Sequence, residues 1–506
     1  MEKIPGGRIA PSAHRWLHGG VTSAFLVLPH QLFANNRRSR ADHVVLVEHD
    51  LLFRQYAFHA QKLVLHRASM DHHARELQDA GLDVHHVRTD GRTTTRQALG
   101  RLLGDLGVDE VRWYDVVDDW LDQDLRATVE DVGVRATVRD SPNFLTPHDD
   151  VLEQLGSGRT RMARFYTWQR RRLDVLVDDG EPVGGRWSFD AENRRKLPKG
   201  HPVPEVTWPE PDDVVADAIA FVKDRFPDAP GDVDAFAWPV TRRQARAAWR
   251  RFLAERLEEF GPFEDAIVAH ESFLFHAAIT PALNIGLLDP RELLADLLDH
   301  AEAHEVPLAS LEGFVRQLIG WREYMRGSYV TRGRRLRTAN HLRHHRAMPD
   351  GWWTGETGLE PVDVVLRRVL ATGYAHHIER LMVLGNALCL QRVHPDEVYE
   401  WFMAMFVDAY DWVMVPNVYA MSQFGAGPVL TTKPYVSASS YLRRMSDLPA
   451  GDWTDAWDGL FWTFVRDHRE VFESSPRTTM MVRQWEGFDE RRRRSLVAAA
   501  RPWISD

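Results

Sequence analysis

The residues best able to do chemistry lie in the second half of the chain. His376 and His377 follow Gly373 and lead into Ile378–Leu390, which reads as an amphipathic helix. Adjacent helical positions face about 100° apart, so at most one of the two addresses a given ligand. Metal ligation favours histidines four apart, and no H-E-x-x-H occurs. One imidazole acting as proton donor is the better functional reading; two packed core histidines are the bland one. A second set joins Arg380, Asp408 and Asp411, with Asn417 beyond. The aspartates stand i, i+3 on what reads as an apolar helix, so at least one is expected to face inward and need a partner. That partner is either a structural arginine or a cofactor ring. Third, His341, His344 and His345 lie among Arg332, Arg334, Arg335, Arg337, Arg343 and Arg346, with no acid between 332 and 346. Such a run is either a solvated face or a phosphate contact, and Trp352–Trp353 nearby favours the contact. Arg491–Arg494 reads as a solvated face.

These groups need elements to hold them. Short β-rich runs at Ala24–Leu28, Val44–Glu48, Asp83–Val87, Glu110–Tyr114 and Val134–Val138 alternate with helix-length segments. Runs apolar nearly throughout, joined by helical crossovers, predict an open parallel sheet over residues 20–140. Ligands of such sheets sit beyond the carboxyl ends of the strands, here Pro29–Phe33 and Glu48–Asp50. Residues 1–19 read as a loose tail. From 141 to 211 the periodicity fades, and Asp178–Pro204 is rich in Gly, Pro and charge, as in a long connector. Residues 212–506 have helical period almost throughout. In Pro395–Trp412, Val398, Trp401, Phe402, Met405, Ala409 and Trp412 recur at three- and four-residue steps, and Glu312–Val330 repeats the pattern.

Composition narrows the classes. The 506 residues carry 63 basic and 73 acidic side chains, a net charge of −10, which argues against indiscriminate nucleic-acid coating but permits a local basic patch. The single cysteine, Cys389, excludes a disulfide framework, cysteine-ligated zinc and a four-cysteine cluster within this chain. No G-x-G-x-x-G, P-loop or G-x-S-x-G appears. No apolar run reaches the roughly 18 residues of a membrane span, and a cytoplasmic monomer is expected. The 18 tryptophans serve either a large helical core or stacking and redox chemistry.

Five ordered stretches carry a family resemblance: EPVGGRWSFDAENR (Glu181–Arg194), EGFVRQLIGWREYMRG (Glu312–Gly327), AHHIERLMVLGN (Ala375–Asn386), DAYDWVMVPNVYAMSQF (Asp408–Phe424) and TKPYVSASSYLRRM (Thr432–Met445). Over about residues 22–490 the chain resembles the prokaryotic (6-4) photolyases, the iron–sulfur branch of the cryptochrome/photolyase superfamily. The resemblance implies an α/β domain joined by a long linker to a larger helical domain that holds FAD. It places His276 and Thr280 at the pyrophosphate, Gln317, Trp321 and Arg322 beside the flavin, Arg380 paired with Asp411 in the set that includes Asp408, and Asn417 at N5. It further implies His377 as the catalytic proton donor in blue-light repair of UV-damaged DNA. Met421, Lys433 and Tyr435 would line the lesion pocket, and Arg332, Arg334 and Arg335 would meet phosphate. Trp401 and Trp353 match the proximal and distal members of the flavin-reducing aromatic chain, with Phe402 where the family has tyrosine and Tyr410 as an alternative relay.

Two departures matter. The cluster cysteines are absent: Pro361 takes the first position and about Asp455 another, in the shortened stretch Leu448–Trp457, with Trp453 and Trp457 expected to fill the space. No iron–sulfur cluster is therefore expected. At the antenna site G-D-Q-L becomes Pro29–His30–Gln31–Leu32; Gln31 and Glu48 are compatible with a ribityllumazine, whereas His30 for Asp changes charge and donor pattern. The leading expectation is a (6-4) photolyase, and the alternative is a cryptochrome photoreceptor signalling through a protein partner. A flavin-free relative would need the flavin contacts to be accidental.

Overall fold

The five apolar runs pair as parallel strands in the computed structural model, which describes residues 21–156 and 161–504. Residues 1–19, expected to form a loose tail, thus lie outside the described residues. The strands are β1 (Ser23–Val27), β2 (His43–Val47), β3 (Val84–Val87), β4 (Glu110–Tyr114) and β5 (Arg135–Arg139), in the order β3-β2-β1-β4-β5. Leu26 pairs with Val45 and Ala24 with Val111, both fully buried. Crossover helices Ala60–Asp79, Thr95–Leu106 and Asp119–Val132 cover the sheet. Thr94 and Asp118 cap the second and third by accepting from Gln97 N and Leu121 N. Gly107 and Gly133, at φ 60° and 75°, end them in the left-handed conformation that glycine adopts without strain.

The connector region carries more structure than its fading periodicity predicts. It holds helices His148–Leu155 and Met162–Leu173 and a two-stranded hairpin. Buried carboxylates of the helical domain tie it down. Glu323 accepts from Leu145 N and Thr146 N, both at 3.0 Å, and Glu312 accepts from Phe189 N at 2.9 Å.

The helical domain is built on a long rod, Leu308–Val315, Arg316–Trp321 and Arg322–Arg337, continuous through a central π-turn. The segment Ile378–Leu390 forms the expected helix, but Leu381 to Leu390 are all buried, so it is a core helix rather than an amphipathic one. The single helix expected over Pro395–Trp412 is two: Pro395–Met405, then Asp411–Val415, with Phe406 extended between them at φ −109°, ψ 128°. The reason is tertiary. His59 N donates to Ala404 O at 2.8 Å, and the buried Lys62 ammonium donates to Met403 O at 3.0 Å and Ala409 O at 2.8 Å. The sheet domain thereby satisfies the last-turn carbonyls and lets the helix stop. Asp408 therefore sits in a turn, not on a helix face.

Candidate active site

Three helices of the helical domain each contain a π-turn: Arg316–Trp321, Glu379–Gly385 and Pro416–Ser422. All three border one cavity of about 300 Å³, to which they contribute Gln317 and Trp321, Arg380 and Leu381, and Asn417 and Ser422. An i→i+5 turn inserts one residue into the helical repeat and re-aims the side chains around it, which is why such turns gather at functional sites. The turn 406–410 supplies Asp408, and Thr280 comes from the first turn of a short helix opposite.

Arg380 grips Asp408 with both terminal nitrogens, Nη1–Oδ1 at 2.8 Å and Nη2–Oδ2 at 3.0 Å, and donates Nε–H to Ala375 O at 2.6 Å. Thr280 Oγ1 donates to Asp408 Oδ2 at 2.6 Å, and Asn284 Nδ2 donates to Asp408 O at 2.9 Å. The expected Arg380–Asp411 pair does not form. Asp411 lies 2% exposed away from the cavity, accepting from the hydroxyls of Tyr329 and Tyr399 and from Arg337. Of the two aspartates, only Asp408 faces the cavity.

Several polar atoms bordering the cavity are buried without a protein partner: Arg322 Nε and Nη2, and His276 Nε2. Arg322 is stacked near Phe144 and Trp412 and donates only to Asn143 O; burial lowers its pKa to about 10, so it keeps its charge at neutral pH. A fixed cation with unused donors beside Trp321 and Trp412 suits a ligand that joins anionic oxygens to a flat aromatic ring, and FAD has both. His276 is stacked on His376 at 4.5 Å, and burial pushes its pKa down to about 4. Asn417 directs one amide N–H to Val413 O at 2.7 Å.

His377 borders the same cavity, and its side chain is exposed to that open space. Desolvation and the Arg380 charge lower its pKa to about 4, and water filling the cavity offsets part of that desolvation. His376 is its buried structural neighbour, with Nε2 3.5 Å from Glu379. Sequence reasoning did not single out two further lining groups, Glu264 and Asp265. Burial raises their pKa values to about 7 and about 6, and Glu264 accepts from Gln317. They lie in an aperiodic loop, where no spacing signal marks them.

Aromatic rings lead away from the cavity. Phe402 borders it, Trp401 lies behind Phe402 with centroids 5.3 Å apart, and Trp352 lies beyond at 5.5 Å. Trp352 O also accepts from Trp401 Nε1 at 3.1 Å. The ring touching Trp401 is therefore Trp352, while Trp353 is its half-buried neighbour. Tyr410 is removed from this line; its hydroxyl lies 2.8 Å from His66 Nε2 at the seam with the sheet domain.

Other expected site residues scatter. Met421 is packed in the core next to Ser422, Lys433 is exposed, and Tyr435 is half-buried within electrostatic reach of Asp265. The arginine run does not make one basic face. Arg332, Arg334 and Arg335 border a separate groove that also carries Asp115, Asp118, Asp119 and Asp122. Within it Arg334 is paired with Asp119 at 2.6 Å and Arg332 donates to Leu155 O. Farther along, His344 is buried against Phe464. The acids missing from the run are supplied by other elements. At the strand ends, His30 and Gln31 are buried and bonded to Val116 O and Tyr114 O, at 3.1 and 2.7 Å. Glu48 is fully buried on Arg67 at 2.9 and 2.8 Å, and burial raises its pKa. Among the described residues no helix is long and apolar enough to cross a membrane.

Comparison with known proteins bears on the family and the fold. Residues 25–238 match the family described as deoxyribodipyrimidine photo-lyase-related protein, and residues 311–449 match the FAD binding domain of DNA photolyase. The chain is 32% identical over 483 residues to a (6-4) photolyase of Agrobacterium fabrum, covering 92% of this chain and 94% of that one. An uncharacterized protein of Acanthamoeba polyphaga mimivirus is 35% identical over 124 residues, 24% of this chain and 97% of its own. Among solved structures, a class III photolyase from Agrobacterium tumefaciens aligns at TM-score 0.57 and 16% identity, covering 97% of this chain and 99% of that one. A Synechocystis cryptochrome aligns at TM-score 0.57 and 14% identity, covering 96% and 99%. Both structures share its fold.

Proposed function

The chain belongs to the photolyase-related family, and from that premise we propose that it is a light-driven DNA photolyase acting on (6-4) photoproducts, with His377 as proton donor. The observation that carries this reading is the joint placement of His377 and the Arg380–Asp408 pair on one cavity where Arg322 Nε and Nη2 and His276 Nε2 are buried without protein partners. When bound, FAD supplies the light-driven electron. Arg322 and His276 would meet its anionic oxygens, Trp321 and Trp412 would flank flat rings, and Arg380–Asp408 and Asn417 would fix the polar edge of the isoalloxazine.

His377 then has one task, to place a proton on the lesion hydroxyl so that the oxygen returns to its original base. In the free protein its low pKa keeps the imidazole neutral at pH 7. The lesion brings phosphates, and an anion beside the ring favours imidazolium. Protonation is thereby linked to substrate arrival. A bulky lesion is already poorly stacked, so extruding it costs less than extruding an intact pair.

The family's cluster is read as missing here. Pro361 is buried at the start of helix Glu360–Thr372, and Trp453 and Trp457, both buried, pack edge to face at 6.3 Å. Their indole N–H groups donate to Pro449 O inside the shortened stretch and to Ser437 O ahead of it, which ties the stretch to the preceding segment. A ribityllumazine antenna would have to draw Glu48 away from Arg67.

Blue-light incubation of the reduced, FAD-loaded protein with a (6-4)-containing oligonucleotide tests the proposal. Restored thymines that vanish in His377→Ala support it. Flavin photoreduction without lesion binding or repair overturns it in favour of a photoreceptor.

A further inference from the structure

Three metal-ligating side chains meet far from the cavity, at the amino ends of two neighbouring strands. His43 opens β2, and Asp83 immediately precedes β3, whose second residue is His85. The register Val44↔Val84 places His43 opposite Asp83 across the ladder, and Asp83 and His85 stand two apart on one face of the same strand. The pleat therefore directs all three to one side of the sheet. His43 Nδ1 lies 2.7 Å and His85 Nε2 3.1 Å from the same oxygen, Asp83 Oδ2, and the two nitrogens are 3.3 Å apart. Zinc bonds of about 2.0–2.1 Å to nitrogen and oxygen imply tetrahedral edges of about 3.3 Å. The triangle matches one face of that tetrahedron to within a few tenths of an ångström, apart from the short His43–Asp83 side.

We propose that His43, Asp83 and His85 form a divalent metal site of the zinc class, with water as fourth ligand. Two imidazole nitrogens and one carboxylate suit a borderline first-row ion and not magnesium or calcium, which take oxygen ligands. The imidazoles are mostly covered, at 20% and 26% exposed, whereas Asp83 is 57% exposed, so the open side admits water. β3 is one of the two edge strands of the sheet. An ion bridging His43 to Asp83 and His85 would pin that edge to β2, where an exposed ladder is otherwise a liability. The role is structural and independent of the flavin cavity.

The test uses the metal-free full-length protein, titrated with Zn²⁺ against a chromophoric chelator and with Co²⁺ alone. Wild type is expected to bind one ion more than His43→Ala/His85→Ala, with a visible Co²⁺ d–d band that the double variant lacks. His85→Asn is expected to weaken Zn²⁺ binding by at least about tenfold, and Zn²⁺ to raise the Tm of wild type only. X-ray absorption at the zinc edge of wild type, which needs no variant, should show two imidazoles and no sulfur. Equal stoichiometry and affinity in wild type and double variant, or a zinc edge without imidazole scattering, overturns the site and leaves a cluster held by hydrogen bonds alone.

Discussion

Arg380 binds Asp408 through two parallel hydrogen bonds, at 2.8 and 3.0 Å, while Asp411, three residues on, is bound to Arg337 and two tyrosines. The two carboxylates are close in sequence and belong to different machinery. One shapes the cavity; the other joins the helices, and through the Tyr329 hydroxyl, which accepts from Asp119 N at 2.8 Å, the sheet domain as well.

That division predicts opposite phenotypes. Asp408→Asn leaves Arg380 without its counter-charge at the cavity and should purify with far less FAD, read from the flavin absorbance ratio. Asp411→Asn should keep its flavin and lose stability by about 1–3 kcal/mol, because buried donors lose a charged acceptor. Equal flavin loss in both variants contradicts the assignment.

Protonation of His377 should govern the pH profile of repair. Its pKa is lowered to about 4 in the free protein, so the required imidazolium is favoured at low pH and lost as pH rises. Single-turnover repair is expected to decline with rising pH, approaching about tenfold per unit above the pKa of the complex. His377→Ala should be near background at every pH while its flavin spectrum stays intact. A flat wild-type profile counts against the donor role.

Electron delivery should follow ring contact. Trp352→Phe, which alters the ring beside Trp401, is expected to slow flavin photoreduction more than Trp353→Phe does. Phe402→Tyr should accelerate it, because a phenol is easier to oxidise than a phenyl ring. Transient absorption after a blue flash measures both. Equal rates in the two tryptophan variants would contradict the path.

Acid should destabilise the fold through its neutral buried histidines. His30, His59 and His276 are all pushed down to about 4 by burial, against 6.5 for a free imidazole. Between those values these three imidazoles bind more protons in the unfolded chain than in the folded one, so their contribution to stability rises with pH across the window and is lost as pH drops through it. The Tm should decline from about pH 6.5 to about pH 4, with a shallower slope in His30→Asn. An unchanged slope would show that the His30 site does not contribute.

Much of the architecture was legible along the chain. All five strands fall within a residue of the predicted runs, and the central β1 and β2 are apolar nearly throughout, as strands buried on both faces must be. Gln317, Trp321, Arg322, His377 and Arg380, named from the family resemblance, line one cavity. Glu264 and Asp265 carried no signal, since an aperiodic loop has no face to read.

Sequence alone determined the order of elements, the cysteine-poor core and the residue types at the cavity, because side-chain period and composition are local properties. Tertiary structure alone decided the partners. The run Pro395–Trp412 has unbroken helical period, yet it stops at Met405, where Lys62, 341 residues earlier than Met403, donates to its carbonyl. That stop turns Asp408 toward Arg380 and leaves Asp411 to Arg337. The arginine run likewise lost its basic face to Asp119 and Asp411, acids that sequence distance hides. A hydrogen bond or ion pair depends on separation in space, and periodicity records only which way a side chain points.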